Sequence, residues 1–194
     1  MLALAVSSNC RADEMTDAIA VVEKLHETLL DVMKNADKQG FQDRYDILAP
    51  VISESFDTAL IAKTVIGRHW KQLSKQQQSD FINQFNILSI STYASRFDGF
   101  SGETFNTLST DTTKRGRIIV KTEISSPDDE PARLDYLMHN RGGKLYIISV
   151  IANGINDLSL KRSEYTSIIK GNGFDILVSK INDKIQNMQK PSHN

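Results

Sequence analysis

The apolar positions in the first third of the chain recur with a helical period. Over residues 15–38 they fall three or four positions apart, which predicts a long helix with one apolar face, ended by Gly40. Two shorter helices are predicted after it: one over residues 41–48, ended near Pro50, and one over residues 56–66. This part of the chain is therefore expected to be helical.

The next segment carries a helix-capping signature. Ser74 followed three residues later by Gln77 is the capping-box pattern, in which each side chain bonds a backbone N–H at the start of a helix. The helix is predicted to extend to about residue 97, with Phe81 and Phe85 on its apolar stripe. Its second half carries small side chains: Ser89, Ser91, Thr92 and Ala94. Small side chains there leave room for close packing or for a ligand.

Strand patterns replace the helical period after Gly102. Strands are predicted over residues 103–110, 117–125, 132–140 and 145–152. Ile118 and Val120 share one face of the second strand, and Leu134 and Tyr136 share one face of the third. Short turns join these strands, so they are expected to pair antiparallel. The last strand is apolar on both faces, which indicates either a strand covered on both sides or one that borders an apolar cavity.

The chain ends in a second helical region. A Gly-Ile-Asn-Asp corner follows the last strand, then a basic, hydroxyl-rich helix, a break at residues 171–173 and a final amphipathic helix. Helices first, an antiparallel meander next and helices last are typical of an α+β domain, in which helices cover one twisted sheet.

Composition narrows the function classes. With 194 residues, 40% apolar and 24% charged, the chain is typical of one ordinary globular domain. A formal net charge of −1 argues against nucleic acid as a partner, because binding to phosphate backbones requires a strongly basic face. No apolar stretch approaches the roughly 18 residues expected of a membrane-spanning helix.

Residues 1–12 are interpreted as the remnant of an export signal that starts upstream, followed by a single domain over residues 13–190. Residues 1–6 form a short apolar segment, and Ala12 is a small residue after which signal peptidase could cleave. The alternative is a disordered cytosolic N-terminus. Cys10 is the only cysteine, which excludes an intrachain disulfide and a thiolate metal site.

One group of residues could carry enzyme chemistry. Asp135 and His139 share a strand face beside Arg133, and an acid and a histidine inside an α+β cone can serve an isomerase or hydrolase. The alternative is that they lie on the solvent side of the sheet. The four histidines show no metal-ligand spacing, and no nucleotide-binding or serine-nucleophile motif is present.

Several segments together resemble the MlaC family. They occur in the family's order and with comparable spacing: residues 56–62 (FDTALIA), 66–73 (IGRHWKQL), 81–85 (FINQF), 92–97 (TYASRF), 102–105 (GETF), 162–165 (RSEY) and 173–177 (GFDIL). The residues at positions 95–97 (SRF) and 162–165 (RSEY) favour the hopanoid-associated branch of the family.

The resemblance implies a periplasmic lipid carrier rather than an enzyme. MlaC proteins are lipid-transport components, some linked to toluene tolerance, in which helices wrapped on a curved antiparallel sheet enclose a cavity for lipid tails. The implied ligand is a phospholipid or a hopanoid-type lipid, with no other cofactor and no metal. The implied partners are an inner-membrane lipid ABC or similar transport complex and an outer-membrane lipoprotein complex.

Candidate binding residues follow from this resemblance and from the predicted faces. Those expected to contact lipid tails are Phe85, Leu88, Tyr93, Ile118, Val120, Leu134 and Tyr136. Those expected at the mouth, near a headgroup, are Lys161, Arg162 and Tyr165. For each apolar position the alternative is ordinary core packing. Two further hypotheses remain: the enzyme that uses Asp135 and His139, and an interaction protein whose interior is filled by side chains.

Overall fold

The computed structural model describes residues 6–190, with side chains described for residues 13–190. Within this range the helices are α1 (Val6–Lys34), α2 (Phe41–Ser55), α3 (Thr58–Ile66), α4 (Lys75–Arg96), α5 (Asp157–Asn172) and α6 (Phe174–Gln189). Short 3₁₀ segments, Ala36–Lys38 and Gly67–Gln72, follow α1 and α3. The strands are β1 (Thr104–Thr112), β2 (Ile118–Ser126), β3 (Asp129–Arg141), β4 (Lys144–Ala152) and β5 (Ile155–Asn156).

The strands form one antiparallel sheet in the order β1-β2-β3-β4-β5, and the sheet is not closed. The predicted α+β architecture is confirmed. Along β2, Ile118 and Val120 are buried whereas Ile119 and Lys121 are half-exposed, as the alternation predicts. β3 begins earlier than predicted, at Asp129, because a bulge in the β2–β3 pairing accommodates the first residues of this strand.

Two hydrophobic clusters hold the domain together. The first joins α1 and α2 to one face of the sheet, and its fully buried members include Val22, Leu25, Leu29, Val120, Met138 and Ile147. The second joins α3, α5 and α6 to the first half of α4, and its members include Val65, Ile66, Phe81, Tyr165, Leu177 and Ile181. Each fully buried side chain of this size contributes about 1.5–3 kcal/mol. α4 passes from the second cluster into the first, so it fixes their relative position.

α2 is longer than the sequence predicts. Pro50 was expected to end it near residue 48, but the helix continues to Ser55 with Pro50 inside. A proline inside a helix costs about 3 kcal/mol, because one backbone hydrogen bond is lost and the ring meets the preceding turn. Burial of Val51 and Ile52 offsets this, since each is almost completely buried in the first cluster.

The connection between α2 and α3 is a built corner. Helix α3 was expected to begin at Phe56 and begins at Thr58, because the Asp57 side chain accepts from the Leu60 backbone N–H at 3.1 Å and caps the helix. Phe56 forms a parallel bridge with Ile147 of β4. The corner therefore attaches the helical half directly to the edge of the sheet.

Gly67 ends α3 in a conformation that requires glycine. Its φ is +61°, and a Cβ placed there would lie 3.6 Å from the Arg162 guanidinium and from Thr166. Arg162 thus packs over the end of α3.

The predicted capping box of α4 is confirmed. The Gln77 N–H donates to Ser74 Oγ at 3.1 Å, and the Ser74 N–H donates to Gln77 Oε1 at 2.9 Å. Within residues 6–190, none of the helices is long and apolar enough to cross a bilayer. Residues 1–5 lie outside the described range, and the export-signal interpretation of residues 1–12 stays a prediction.

Candidate functional site

A cavity of about 320 Å³ lies where the two hydrophobic clusters meet. Its floor is formed by the inner face of β3 and β4, one wall by α4, and the remaining walls by α2, α3 and the start of α5. Most of its lining is apolar: Ile52, Phe56, Ile61, Phe85, Leu88, Phe97, Leu134, Ile148, Val150 and Leu158. Its volume lies within the range of small-molecule sites, at about 300–1,000 Å³.

The small residues of α4 help to form this space. Ser89 and Thr92 line the cavity, and their hydroxyls donate to the backbone carbonyls of Phe85 and Leu88 at 2.9 and 2.7 Å. The hydroxyls are therefore satisfied within the helix and do not require a polar ligand. Ser91 and Ala94, on the neighbouring side of α4, are fully buried. The predicted row of small residues thus serves both close packing and the cavity.

A bulge in β4 turns additional side chains toward the cavity. Leu137 of β3 pairs with Ser149, whereas the next residue, Met138, pairs with Ile147, so Ile148 is the extra residue. An extra residue reverses the alternation, which lets Ile147 point into the core and Val150 point into the cavity. Ile148 also lines the cavity. The bulge explains why β4 is apolar on both faces.

The exposed lining residues lie together and define the mouth. They come from the end of α4, the end of β4, the short β5 and the start of α5, and they are Arg96, Ala152, Ile155, Asp157 and Leu160. Ile155 and Leu160 are 57% and 58% exposed, which places a large apolar rim beside the charged groups. Lys161 also lines this region and pairs with the Asp157 carboxylate one turn away. The site is thus an apolar interior with charge confined to its opening.

The family model of the MlaC protein matches residues 23–183, which is most of the chain. The chain belongs to the MlaC family. No curated protein matches it significantly. The matched range includes every element that lines the cavity, from α2 to the start of α5.

A solved structure has the same fold as this MlaC-family protein. It is the phospholipid-binding protein from Ralstonia solanacearum, determined in complex with a phospholipid. The TM-score is 0.76 at 18% sequence identity, over 88% of this chain and 98% of the other. At this identity the likeness shows a common fold.

Six of the ten predicted site residues line the cavity of this MlaC-family protein: Phe85, Leu88, Tyr93, Leu134, Tyr136 and Lys161. The other four lie elsewhere. Ile118 and Val120 are buried in the first cluster, under α1. Tyr165 is buried in the second cluster, with its ring edge-on to Phe85 at 6.4 Å between centroids. Arg162 packs on Gly67 and is not part of the mouth.

Part of the cavity lining was not predicted from the sequence. The lining residues that were not among the predicted site residues include Ile52, Phe56, Ile61, Arg96, Phe97, Ile148, Val150 and Leu158. For Ile148 and Val150 the sequence had left open that their strand borders a cavity. Arg96 and Phe97 stand within the TYASRF segment of the MlaC resemblance, which was the available signal for them. Ile52 was not predicted because Pro50 was expected to end α2 before it. Ile148 was not predicted because the bulge that places it has no sequence signature.

A buried histidine supports the cavity floor from behind. His26 of α1 is 4% exposed, its Nε2 lies 2.9 Å from the Tyr136 hydroxyl, and its ring stacks on Phe105 with centroids 4.1 Å apart. Burial lowers the pKa of His26 from 6.5 to about 4. Burial also raises the pKa of Tyr136 well above its usual value. Both groups are therefore neutral near pH 7. Their hydrogen bond holds the Tyr136 ring, which lines the cavity.

This histidine should make the protein less stable in mild acid. Because the pKa of His26 is lower in the folded state, the unfolded chain binds more protons below pH 6.5. Stability is therefore full above pH 6.5 and falls as the pH drops toward 4. At pH 5 we expect His26 to lower the free energy of unfolding by about 2 kcal/mol, because pH 5 lies roughly 1.5 pH units below the pKa of 6.5 of an unburied histidine and each unit corresponds to about 1.36 kcal/mol. Urea unfolding at pH 7.5 and 5.0, compared between the parent and His26→Gln, measures this contribution of His26 to stability. An equal pH dependence in the two proteins would contradict it.

The proposed catalytic pair is not assembled. His139 Nε2 bonds Asp57 Oδ2 at 2.9 Å, and Asp135 lies 3.6 Å from the Arg133 guanidinium. Neither Asp135 nor His139 lines the cavity. Among the described side chains, no group of three or more His, Cys, Asp and Glu is placed to hold a metal ion.

Proposed function

We propose that this protein is a phospholipid carrier that holds acyl chains in the cavity and leaves the headgroup at the mouth. The observation that carries the proposal is an apolar cavity whose charged side chains are confined to its opening. Hiding a lipid tail from water gains about 0.8 kcal/mol per methylene, so an apolar interior can retain a lipid without covalent chemistry. Membership of the MlaC family and the phospholipid in the Ralstonia protein support this function.

We infer that the cavity serves binding and not bond cleavage. The acid and the histidine that could serve as catalysts are engaged with Arg133 and Asp57, outside the cavity lining. A carrier must release its ligand, and the exposed rim residues Ile155 and Leu160 give the tails an apolar path to a partner. We therefore propose a non-enzymatic role.

The family resemblance supplies the proposed setting. We place the protein in the periplasm, where it exchanges lipid with an inner-membrane transport complex and with an outer-membrane lipoprotein complex. A hopanoid-type lipid is the second candidate ligand, because residues 95–97 and 162–165 resemble the hopanoid-associated branch of the family. A rigid ring system and a pair of flexible chains are distinguishable by mass, so one experiment separates the two ligands.

The test is native mass spectrometry of the purified protein, followed by organic extraction of whatever adds mass. We expect one lipid-sized adduct per chain, recovered chemically intact and identified as phospholipid. A hopanoid mass would redirect the ligand assignment while retaining the carrier role. A protein that purifies without lipid, and takes up none from liposomes, would contradict the proposal and favour the interaction hypothesis.

A further inference from the structure

Three cationic side chains lie near the mouth or were expected there, and they are not equivalent. Lys161 lines the cavity, but its ammonium is held by the Asp157 carboxylate and its side chain is only 24% exposed. The charge of Lys161 is therefore largely compensated. Arg162 lies over Gly67, at the end of α3, and contributes nothing to the cavity lining.

Arg96 differs from both. It lines the cavity, it is exposed, and within residues 13–190 its guanidinium has no hydrogen-bond or ion-pair partner. Its backbone belongs to the last turn of α4, one turn after Tyr93, so the helix holds the start of this side chain in place. Burial raises the pKa of Tyr93, Asp157 adds to that rise, and Arg96 opposes it. Arg96 and Asp157 thus both lie close enough to act on the same tyrosine at the mouth.

We infer that Arg96 binds the phosphate group of the lipid headgroup and makes the site select phosphate-bearing lipids over neutral ones. The inference rests on the proposed carrier function. A guanidinium presents several N–H donors in a rigid fork that matches two phosphate oxygens, and a charge-assisted bond of this kind is stronger than a neutral one. With Asp157 and Lys161 compensating each other, Arg96 leaves one positive charge at the opening, which complements one phosphodiester.

The position of Arg96 suits a lipid whose tails are already in the cavity. Tyr93 on α4 and Phe97, the residue that follows α4, line the apolar part, and Ile155 belongs to the exposed rim. A phosphate at Arg96 therefore remains at the water-exposed opening while the chains attached to it extend inward. Binding to a solvated phosphate at an exposed arginine gives selectivity between lipids, whereas the apolar interior retains the chains.

The test is a competition between two lipids with identical acyl chains. Delipidated protein is incubated with equal amounts of phosphatidylglycerol and diacylglycerol, and the bound fraction of each is measured by native mass spectrometry. For the parent protein we expect a preference for the phospholipid of about 10-fold, the size of one charge-assisted hydrogen bond at a partly solvated site. Arg96→Gln should load the two lipids about equally, and Arg96→Lys should keep part of the preference because it retains the charge.

The control variant is Arg162→Gln, which removes an exposed arginine from the same region but outside the cavity, and should keep the parent's preference. A preference that survives in Arg96→Gln, or is lost equally in Arg162→Gln, would overturn the assignment. A preference that disappears when inorganic phosphate is added at the lipid concentration would show that the site takes free phosphate instead. If the parent loads neither lipid, the carrier function itself fails; if it loads both equally, the carrier function stands and only the role of Arg96 is refuted.

Discussion

Replacing Leu134 by aspartate should abolish lipid retention while leaving the fold intact. Leu134 lines the cavity floor from β3 and is only half-buried, so a carboxylate at this position can remain hydrated when no lipid is bound. A bound lipid would cover it with methylenes, and burying an unpaired charge costs several kcal/mol. Since 1.4 kcal/mol is a factor of ten in affinity, we expect a loss of more than about 100-fold. The measurement is lipid stoichiometry by native mass spectrometry.

The matched control is Leu108→Asp. Leu108 is also a strand leucine, but it lies on β1, is 44% exposed and does not line the cavity. The control receives the same change of charge and volume, and it should retain lipid at the parent's level. Circular dichroism and urea unfolding establish that both variants are folded. A folded Leu134→Asp protein that still carries one lipid per chain would remove this position from the binding surface.

Local signals in the sequence predicted the elements well. The capping box at Ser74 and Gln77, the alternation around Val120 and the short turn between β3 and β4 each depend on residues a few positions apart. Such signals act through backbone geometry that neighbouring residues determine. The order of these elements was then sufficient for the fold class, because an antiparallel meander between helical segments has few compact arrangements.

Tertiary packing decided what the local signals did not. Pro50 locally favours the end of a helix. The helix nevertheless continues, because the burial of Val51 and Ile52 offsets the cost of the proline. The periodicity of an apolar residue also cannot distinguish a filled core from a cavity wall. Val120 and Tyr136 lie opposite each other on neighbouring strands, but only Tyr136 lines the cavity.

The mouth of the candidate site was the least predictable part. Arg96 and Asp157 are far apart in sequence, and only the fold brings the end of α4 and the start of α5 to the same cavity. Charge at the mouth was expected from α5 alone, through Lys161 and Arg162. Arg162 instead packs against Gly67, and a contact between residues so distant in sequence cannot be inferred from any periodic pattern.

Replacing Asp57 by alanine should destabilise the protein by about 3 kcal/mol. The Asp57 carboxylate is 3% exposed and has three partners: the Leu60 N–H at 3.1 Å, His139 Nε2 at 2.9 Å and Arg141 Nη1 at 2.9 Å. Loss of a helix cap costs about 0.5–2 kcal/mol, and loss of a buried hydrogen bond to a charged group about 1.5–3 kcal/mol. For a domain of this size, 3 kcal/mol corresponds to a decrease in Tm of roughly 6–12 °C.

Asp57→Asn separates the two contributions. Asparagine caps helices about as well as aspartate, so this variant keeps the bond to Leu60 and loses the negative charge that His139 and Arg141 face. We expect its stability to lie between that of the parent and that of Asp57→Ala. Glu54→Gln is the control: it removes a carboxylate from the exposed pair with Lys24, three residues before Asp57, and should leave Tm unchanged. Equal losses in the two Asp57 variants would mean that the cap contributes nothing.

The consequence of losing Asp57 should extend to the cavity, because of where this side chain lies. It follows Phe56, which lines the cavity, and its backbone N–H donates to the carbonyl of Ile147 on β4 at 3.0 Å. Without the carboxylate, the corner between α2 and α3 retains this bond but loses its connection to the end of β3. Hydrogen exchange should therefore accelerate at residues 57–61 more than in α1. Uniform acceleration across the chain would indicate that Asp57 stabilises the domain as a whole and not the corner that forms one wall of the cavity.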